Sequence, residues 1–242
     1  MPKSHAFFFS AVLMLFVSLQ GCAFFKASHI EETEIHYPAP DPEIERLVED
    51  YRAGIEQSLG EQIAVVEDTL TFSKPEGSLG NMAADALRYR AALELRTFVH
   101  LGIADESHYM LDFLPGSLTR EAVYEFMPYL NHLVVLELRG DQITELMQQV
   151  AALGGAPLSG ARFTIDSQNR ARGILVNSTV VEPNKTYLIA TTNRVANTGE
   201  PFPVLLNADR RIDLDISIRS LYLDFFRGRG RLTDATDGRI RS

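Results

Sequence analysis

The sequence predicts an α/β (α+β) fold, a single domain over residues 43–242 in which mixed β-sheets are covered by helices. Two observations support this fold class. Amphipathic stretches with the 3.6-residue period of a helix alternate along the chain with short apolar runs typical of strands. No internal repeat interrupts the alternation, and helices interspersed with short strands are typical of layered α and β structure.

Each element follows from its own pattern. Apolar residues at helical spacing predict helices over 43–59, from Ser78 to about Leu93, and over 119–126, 141–153 and 216–227. Short apolar runs predict strands at 62–66, 97–101, 108–113, 132–138, 161–166, 172–177 and 186–192. Ser78 is the expected N-cap of the second helix, because its hydroxyl accepts a hydrogen bond from an otherwise unpaired N–H.

The first 21 residues have the pattern of a signal peptide. Lys3 precedes an apolar run from Ala6 to Leu19, and Gly21 is the small residue before the expected cleavage point. The run has about 14 residues, fewer than the roughly 18–20 that a membrane-spanning helix needs. The sequence therefore predicts export, with residues 1–21 as a cleaved signal peptide.

Cys22 is the predicted site of lipid attachment. The segment Leu19-Gln20-Gly21-Cys22 resembles the bacterial lipobox, and Cys22 has no second cysteine to pair with. Each buried methylene contributes about 0.8 kcal/mol, so two or three acyl chains anchor a protein firmly to membrane lipid. The alternative is an unmodified free thiol. Ala23 stands where an aspartate resembles an inner-membrane retention signal, which favours the outer membrane, with the domain facing the periplasm.

Residues 22–42 are expected to be a flexible, acidic tether between the lipid and the domain. The segment is polar, with Pro38, Pro40 and Pro42 near its end. It has too little apolar surface to offset the entropy lost on ordering.

The charge of the chain argues against one class of partner. The formal net charge is −9 in a sequence that is 45% hydrophobic and 23% charged. Proteins that bind nucleic acid generally need a basic face. We therefore expect no nucleic-acid partner.

Four blocks of sequence carry the functional information. Gly80-Asn81 with Ala84-Asp85 matches G-N-x-x-A-D, and Pro115 to Thr119 matches P-G-x-(I/L)-T. Residues 128–140 match P-F-x-N-x-(L/V) and its strand, and residues 187–203 (YLIATTNRVANTGEPFP) match a block that ends in G-G-D-G-(Y/F)-P. Together they resemble the C-terminal domain of the bacterial 5′-nucleotidase and UDP-sugar hydrolase family, over about residues 43–240.

That resemblance implies a nucleoside pocket. In the family two aromatic rings sandwich the nucleobase. Tyr129 takes one ring position, and Arg194 takes the other, where a planar guanidinium stacks by cation–π attraction. Asn131 and Asn193 match the amides of the two ligand loops, and Glu200 stands where an aspartate binds ribose hydroxyls. The alternative is structural, with Tyr129 as half-buried packing and Arg194 with Glu200 as a surface ion pair.

The chain departs from the family at the phosphate site. The family block N-x-G-G-(I/V)-R, whose arginine holds phosphate, corresponds to residues 105–110, which read D-E-S-H-Y-M. Met110 thus replaces the arginine, with the carboxylates of Asp105 and Glu106 nearby. Such a site is expected to repel an anion. The G-G-D-G loop has become Thr198-Gly199-Glu200-Pro201, whose proline makes the backbone stiffer.

No catalytic residue is predicted. The metallophosphatase domain of the family, which supplies two metals and thereby the nucleophile, has no counterpart in the sequence. None of the six histidines stands in a D-x-H, N-H-(E/D) or G-H-x-H motif, and there is no G-x-S-x-G elbow or P-loop. We expect no metal site and no cofactor in this chain, with divalent metals entering only through a partner.

Three functions therefore remain open. The first is a lipid-anchored periplasmic domain that binds a nucleoside or nucleotide without catalysis. The second is a specificity subunit, completed in trans by a separate metallophosphatase chain. The third is an interaction protein of the cell envelope whose pocket is vestigial.

Overall fold

The computed structural model describes residues 41–242. The predicted signal peptide, Cys22 and most of the predicted tether lie outside these residues. The helices are α1 Pro42–Leu59, α2 Ser78–Leu95, α3 Arg120–Phe126, α4 Gly140–Ala152, α5 Asn193–Thr198 and α6 Ile218–Arg229, with 3₁₀ turns at Glu106–His108 and Pro203–Asn207. The strands are β1 Gln62–Val66, β2 Leu101–Ile103, β3 Gly116–Thr119, β4 His132–Arg139, β5 Leu158–Ser159, β6 Ala161–Ile165, β7 Ala171–Val176, β8 Thr179–Val180, β9 Thr186–Thr192, β10 Arg210–Ser217, β11 Arg231–Leu232 and β12 Ile240–Arg241.

Helix α1 forms where its apolar periodicity predicts it. Asp41 caps it, since its Oδ1 accepts a hydrogen bond from the N–H of Glu43 at 2.8 Å. Contacts within the chain divide it after Leu47 into two units, the second of which runs from Val48 to Ser242. The apolar stripe of α1 is not part of a core, because Tyr51 and Ile55 are 68% and 57% exposed.

A five-stranded mixed sheet organises the unit Val48–Ser242. Its strand order is β10-β4-β9-β2-β5. The β4–β9 pair is antiparallel and runs from Leu133–Thr192 to Arg139–Thr186. Strand β2 adds in parallel to β9, and β10 pairs antiparallel with the other edge of β4. The predicted mixed sheet is confirmed.

Both faces of this sheet are buried. Along β4, Leu133 and Val135 face a core formed with α2, α3 and α6, while Val134 and Leu136 face a second core formed with α4. An uninterrupted apolar run is the pattern expected of a strand covered on both sides. The covering helices predicted from the sequence are therefore present on both sides.

Two smaller sheets complete the fold. One has the order β11-β1-β3 and the other β12-β6-β7-β8. In each, a two-residue strand from the C-terminal segment pairs in parallel with an earlier strand, β11 with β1 and β12 with β6. The last residues of the chain are therefore part of both small sheets.

The segment 104–113 differs from its prediction. Residues 108–113 do not form a strand, because Asp105 caps a 3₁₀ turn by accepting the N–H of Ser107 at 3.0 Å. Beyond that turn, Tyr109 stacks on Phe72 with ring centroids 4.8 Å apart. Phe113 forms an isolated β-bridge with Leu70, and the N–H of Met110 donates to the carbonyl of Phe126 at 3.1 Å. Tyr109 and Phe113 belong to the core although the backbone forms no strand, and that is why the apolar pattern led to a wrong prediction.

Three other boundaries are corrected. The strand predicted at 97–101 lies at 101–103, and Gly77, not Ser78, is the N-cap of α2. The hydroxyl of Ser78 instead accepts the N–H of Thr71 at 3.3 Å. Strand β10 and the shorter strands β3, β5, β8, β11 and β12 were missed, and the last helix begins at Ile218. The charged side chains of β10 face outward at the sheet edge, so the sequence there resembles solvated surface.

Gly140, at the turn from β4 into α4, has no room for a side chain. A Cβ there would lie 2.0 Å from the carbonyl oxygen of Glu182. We expect Gly140→Ala to lower the free energy of unfolding by at least about 1–3 kcal/mol, because the backbone must shift. Urea denaturation measures this change. Gly228→Ala in α6 is the control, since its Cβ would meet no atom within 4 Å. Equal stability of the two variants would contradict the close contact.

Candidate functional site

Three loops meet at one end of the central sheet. One follows β2, one precedes β4 and one follows β9. Because β2 is parallel and β4 antiparallel to β9, the end of β2, the start of β4 and the end of β9 lie at the same edge. These loops carry residues 104–110, 127–131 and 193–200. The sheet therefore gathers Tyr129, Asn131, Asn193 and Arg194 at one end.

Tyr129 offers a ring to solvent. Its side chain is 45% exposed, at the end of the loop that leads into β4. The ring of His108 packs against it edge to face, with centroids 5.8 Å apart and an interplanar angle of 67°. The loop after β2 thus supports one side of Tyr129, while the rest of the ring stays accessible.

The two asparagines hold the loops in place. Asn193 Oδ1 accepts the N–H of His132 at 3.0 Å, which links the start of α5 to the start of β4. The carbonyl of Asn131 accepts the N–H of Ile218 at 2.9 Å. The side chain of Asn131 is only 7% exposed, and its Nδ2 has no hydrogen-bond partner among residues 41–242. A buried donor left unpaired costs about 1–3 kcal/mol.

Arg194 lies in the first turn of α5 and Glu200 lies two residues beyond its last residue, and both are exposed. The backbone N–H of Glu200 donates to Thr198 Oγ1 at 3.1 Å. Within the described part of the chain, neither side chain forms an ion pair. The ion pair between Arg194 and Glu200 that the sequence left open is therefore not formed. Among residues 41–242, Glu200 also makes no hydrogen bond with Tyr129.

His108 is a residue of this site that sequence reasoning missed. It is 5% exposed, and Nε2 lies 3.4 Å from Asp105 Oδ2, yet neither ring nitrogen makes a hydrogen bond with any described residue. Burial is the main cause that lowers the pKa of His108; Asp105 raises this pKa and Arg194 lowers it further. The only sequence signal for His108 was the departure of residues 105–110 from the family block.

Met110 is exposed, at 49%. The hydroxyl of Tyr109, the residue before it, is hydrogen-bonded to Tyr222 in the core. Met110 lines a cavity of about 420 Å³ that also contains Lys74 and Glu106. Lys74, the only cation in the lining, pairs with Glu106 at 3.1 Å and donates to the carbonyl of Leu153. The positive charge near Met110 is thus already neutralised.

A model of the family described as "5′-nucleotidase, C-terminal domain" matches residues 62–207, more than half of the chain. The chain belongs to this family. The match includes all three loops of the site. It confirms the resemblance drawn from the sequence blocks.

Known relatives of this domain are longer proteins. The chain is 23% identical over 222 residues to the trifunctional nucleotide phosphoesterase protein YfkN of Bacillus subtilis (strain 168), covering 83% of this chain and 15% of that protein. A 5′-nucleotidase precursor from Thermus thermophilus superposes with a TM-score of 0.70 at 21% identity, over 81% of this chain and 42% of the other. The NAD nucleotidase of Haemophilus influenzae gives 0.62 at 17%, over 83% and 41%. The solved structures confirm the fold, and the chain spans less than half the length of these relatives.

Several family motif residues are structural in this domain. Asn81 Nδ2 donates to Glu76 at 2.6 Å and to the carbonyl of Ala235 at 2.9 Å. Asp85 pairs with the buried Arg239 at 3.0 Å. The first motif block therefore contacts the C-terminal segment and attaches the end of the chain to α2.

The metal centre associated with 5′-nucleotidases does not fit the residues of this domain. Between residues 41 and 242, no group of three or more His, Cys, Asp or Glu side chains is arranged to hold a metal ion. The three loops of the site carry one histidine, the buried His108, as a possible nitrogen ligand. This geometry supplies no set of donors for a two-metal site.

His108 gives stability a pH dependence. Its pKa is lowered in the folded state, so the unfolded chain binds the proton more tightly. Stability is therefore complete above about pH 6.5 and falls as the pH drops towards the folded-state pKa. For one proton the slope is at most about 1.4 kcal/mol per pH unit. We expect His108→Gln to show a smaller fall than the wild type in urea denaturation between pH 8 and pH 5.

The exposed His132 provides the control for this pH series. His132→Gln makes the same side-chain replacement at this exposed position. If His108→Gln and the wild type lose stability in parallel, then the ring of His108 is not buried in neutral form.

Proposed function

We propose that this domain binds a nucleoside or nucleotide at the ends of β2, β4 and β9, without hydrolysing it alone. One observation carries the proposal: the half-exposed ring of Tyr129 lies on the same loop as Asn131, whose buried donor has no partner among the described residues. A nucleobase offers both a planar face and hydrogen-bond acceptors. It could therefore stack on the ring of Tyr129 and accept a hydrogen bond from Asn131 Nδ2.

The energetics of the pocket depend mainly on Tyr129. Stacking of a base on an aromatic ring contributes about 1–3 kcal/mol. Arg194, exposed after β9, supplies a planar cation that is not engaged in an ion pair with any described residue. Stacking on a guanidinium is also favourable. A base held between Tyr129 and Arg194 is thus the binding mode that we propose, with Glu200 reaching the ribose.

Two features favour binding over catalysis. The position of the phosphate arginine is occupied by Met110, beside the paired Lys74 and Glu106. The described residues also provide no set of metal ligands. An arginine and metal ions would bind the phosphate of a nucleotide and not its base, so their absence from these positions affects phosphate binding more than base binding. We therefore expect a neutral nucleoside to bind at least as well as its monophosphate.

Calorimetry with adenosine, AMP and a UDP-sugar tests the pocket. We expect Tyr129→Ala to weaken adenosine binding about tenfold or more, the equivalent of about 1.4 kcal/mol of lost stacking. Tyr51→Ala is the matched control, because Tyr51 is an exposed tyrosine on α1, outside the three loops. If the wild-type protein binds none of the three compounds, the pocket is vestigial and an envelope interaction role replaces the proposal.

We also propose that the domain is displayed from a membrane. Among residues 41–242, no helix is long and apolar enough to cross a bilayer. The proposed attachment site is the segment that ends in Leu19-Gln20-Gly21-Cys22, with lipid on Cys22 and the outer membrane as the destination. A nucleoside pocket on a lipid anchor would face the periplasm.

Lipidation at Cys22 predicts where the protein is found. In a bacterial host we expect the wild type to incorporate labelled palmitate and to sediment with membranes. Cys22→Ser should lose the label and remain unprocessed, because the lipid is attached before the signal peptide is removed. An unlabelled wild-type protein with a titratable thiol would support the free-cysteine alternative.

A specificity subunit completed in trans is the second candidate function. The chain spans less than half the length of each of these relatives, and in this candidate function a separate metallophosphatase chain supplies the hydrolytic part. Membrane eluates of the tagged wild type, assayed with Mn²⁺ and nucleotides, test this candidate. Eluates that never hydrolyse nucleotides would exclude it while leaving the binding proposal intact.

A further inference from the structure

One cavity in the described part of the chain lies away from the nucleoside pocket. It is a groove of about 790 Å³ between α2, the β6–β8 hairpins and α6. None of its lining residues belongs to the loops 104–110, 127–131 or 193–200. Its volume lies within the range of small-molecule sites, about 300–1,000 Å³. The groove is therefore a second concave surface, separate from the site described above.

Two aromatic rings line the groove and remain largely exposed. Tyr89 is 58% exposed and Phe98 is 59% exposed. Phe98 is held edge-on by His100, with centroids 5.1 Å apart, and Tyr89 lies 6.3 Å from the ring of Phe225. The neighbouring rings fix both side chains, so their exposed surface is preorganised to receive a flat apolar group.

The negative charges of the groove are already paired. Asp85 lies 3.0 Å from Arg239, and Asp237 lies 3.1 Å from the same guanidinium. Asp224 is 3.2 Å from Arg90. The carboxylates therefore add little net negative charge to the groove.

Two arginines of the groove lack such a partner. Within residues 41–242, Arg88 and Arg229 form no ion pair; Arg88 donates to Asn177 Oδ1 at 3.3 Å, and Arg229 lies over the ring of Phe225 at 4.7 Å. Asn177 is itself held, because its Nδ2 donates to the carbonyl of His100. The groove thus presents two positioned positive charges on a chain whose net charge is −9.

We propose that this groove binds a small organic anion that carries a planar aromatic ring. The ring packs against Tyr89 and Phe98, and the carboxylate or phosphate of the ligand pairs with Arg88 and Arg229. Planar guanidinium groups suit both of these anions, which they bind through two parallel hydrogen bonds. The proposal does not depend on the nucleoside pocket.

Calorimetric titration with benzoate and with phenyl phosphate tests the groove and distinguishes the two acidic groups. Inorganic phosphate and benzyl alcohol serve as probes that lack the ring or the charge. We expect at least one aromatic anion to bind saturably. We expect Arg88→Gln and Arg229→Gln each to weaken it about tenfold or more, the loss typical of a charge-assisted hydrogen bond. Tyr89→Ala should weaken it as well.

Two variants are the controls. Arg210→Gln removes an exposed arginine on β10 outside the groove, and Tyr129→Ala alters only the nucleoside pocket; both should bind the aromatic anion like the wild type. The proposal is overturned if neither aromatic anion binds, if inorganic phosphate binds as tightly as phenyl phosphate, or if a folded Arg88→Gln/Arg229→Gln double variant retains full affinity. Circular dichroism melting confirms that the variants are folded.

Discussion

The antiparallel pairing of β4 with β9 holds the middle of this domain together, over seven residue pairs from Leu133–Thr192 to Arg139–Thr186. Both strands are buried on each face, so their backbone groups have no access to water and must pair with each other. A slip of one residue would exchange the side chains of Leu133 and Val134 between two different cores. The register is therefore strongly fixed. Because the register is fixed, the loops at the end of the pair hold Tyr129 and Arg194 in constant positions.

The ends of the domain depend on a different kind of contact. Arg239 is 8% exposed and is held by Asp85 and Asp237. A buried guanidinium is stable only when its hydrogen bonds are satisfied. This network attaches the last strand of the chain to α2. It also gives the aspartate of the first sequence block, Asp85, a structural role.

The domain has the scaffold of the 5′-nucleotidase C-terminal family, and its two proposed binding surfaces lie at different places on that scaffold. In the cavity lined by Met110, the one cation, Lys74, is paired with Glu106. Arg88 and Arg229, which form no ion pair with any described residue, occur instead in a groove on another part of the molecule. The charged side chains of the nucleoside pocket and of the groove do not belong to the two hydrophobic cores. Substitutions at either surface are therefore expected to leave the two cores intact.

The sequence by itself determined the fold class, most helices and the central strands, because the apolar period of each element is a local property. Through the family blocks, the sequence also predicted four residues of the candidate site, Tyr129, Asn131, Asn193 and Arg194. It predicted a wrong strand at 108–113 and contained no sign that His108 is buried beside Tyr129. Only the tertiary structure showed those two points. It also revealed the contact between Asp85 and Arg239, and that Asn131 Nδ2 has no hydrogen-bond partner among the described residues. Burial and charge pairing depend on residues far apart in the chain, and no local pattern records them.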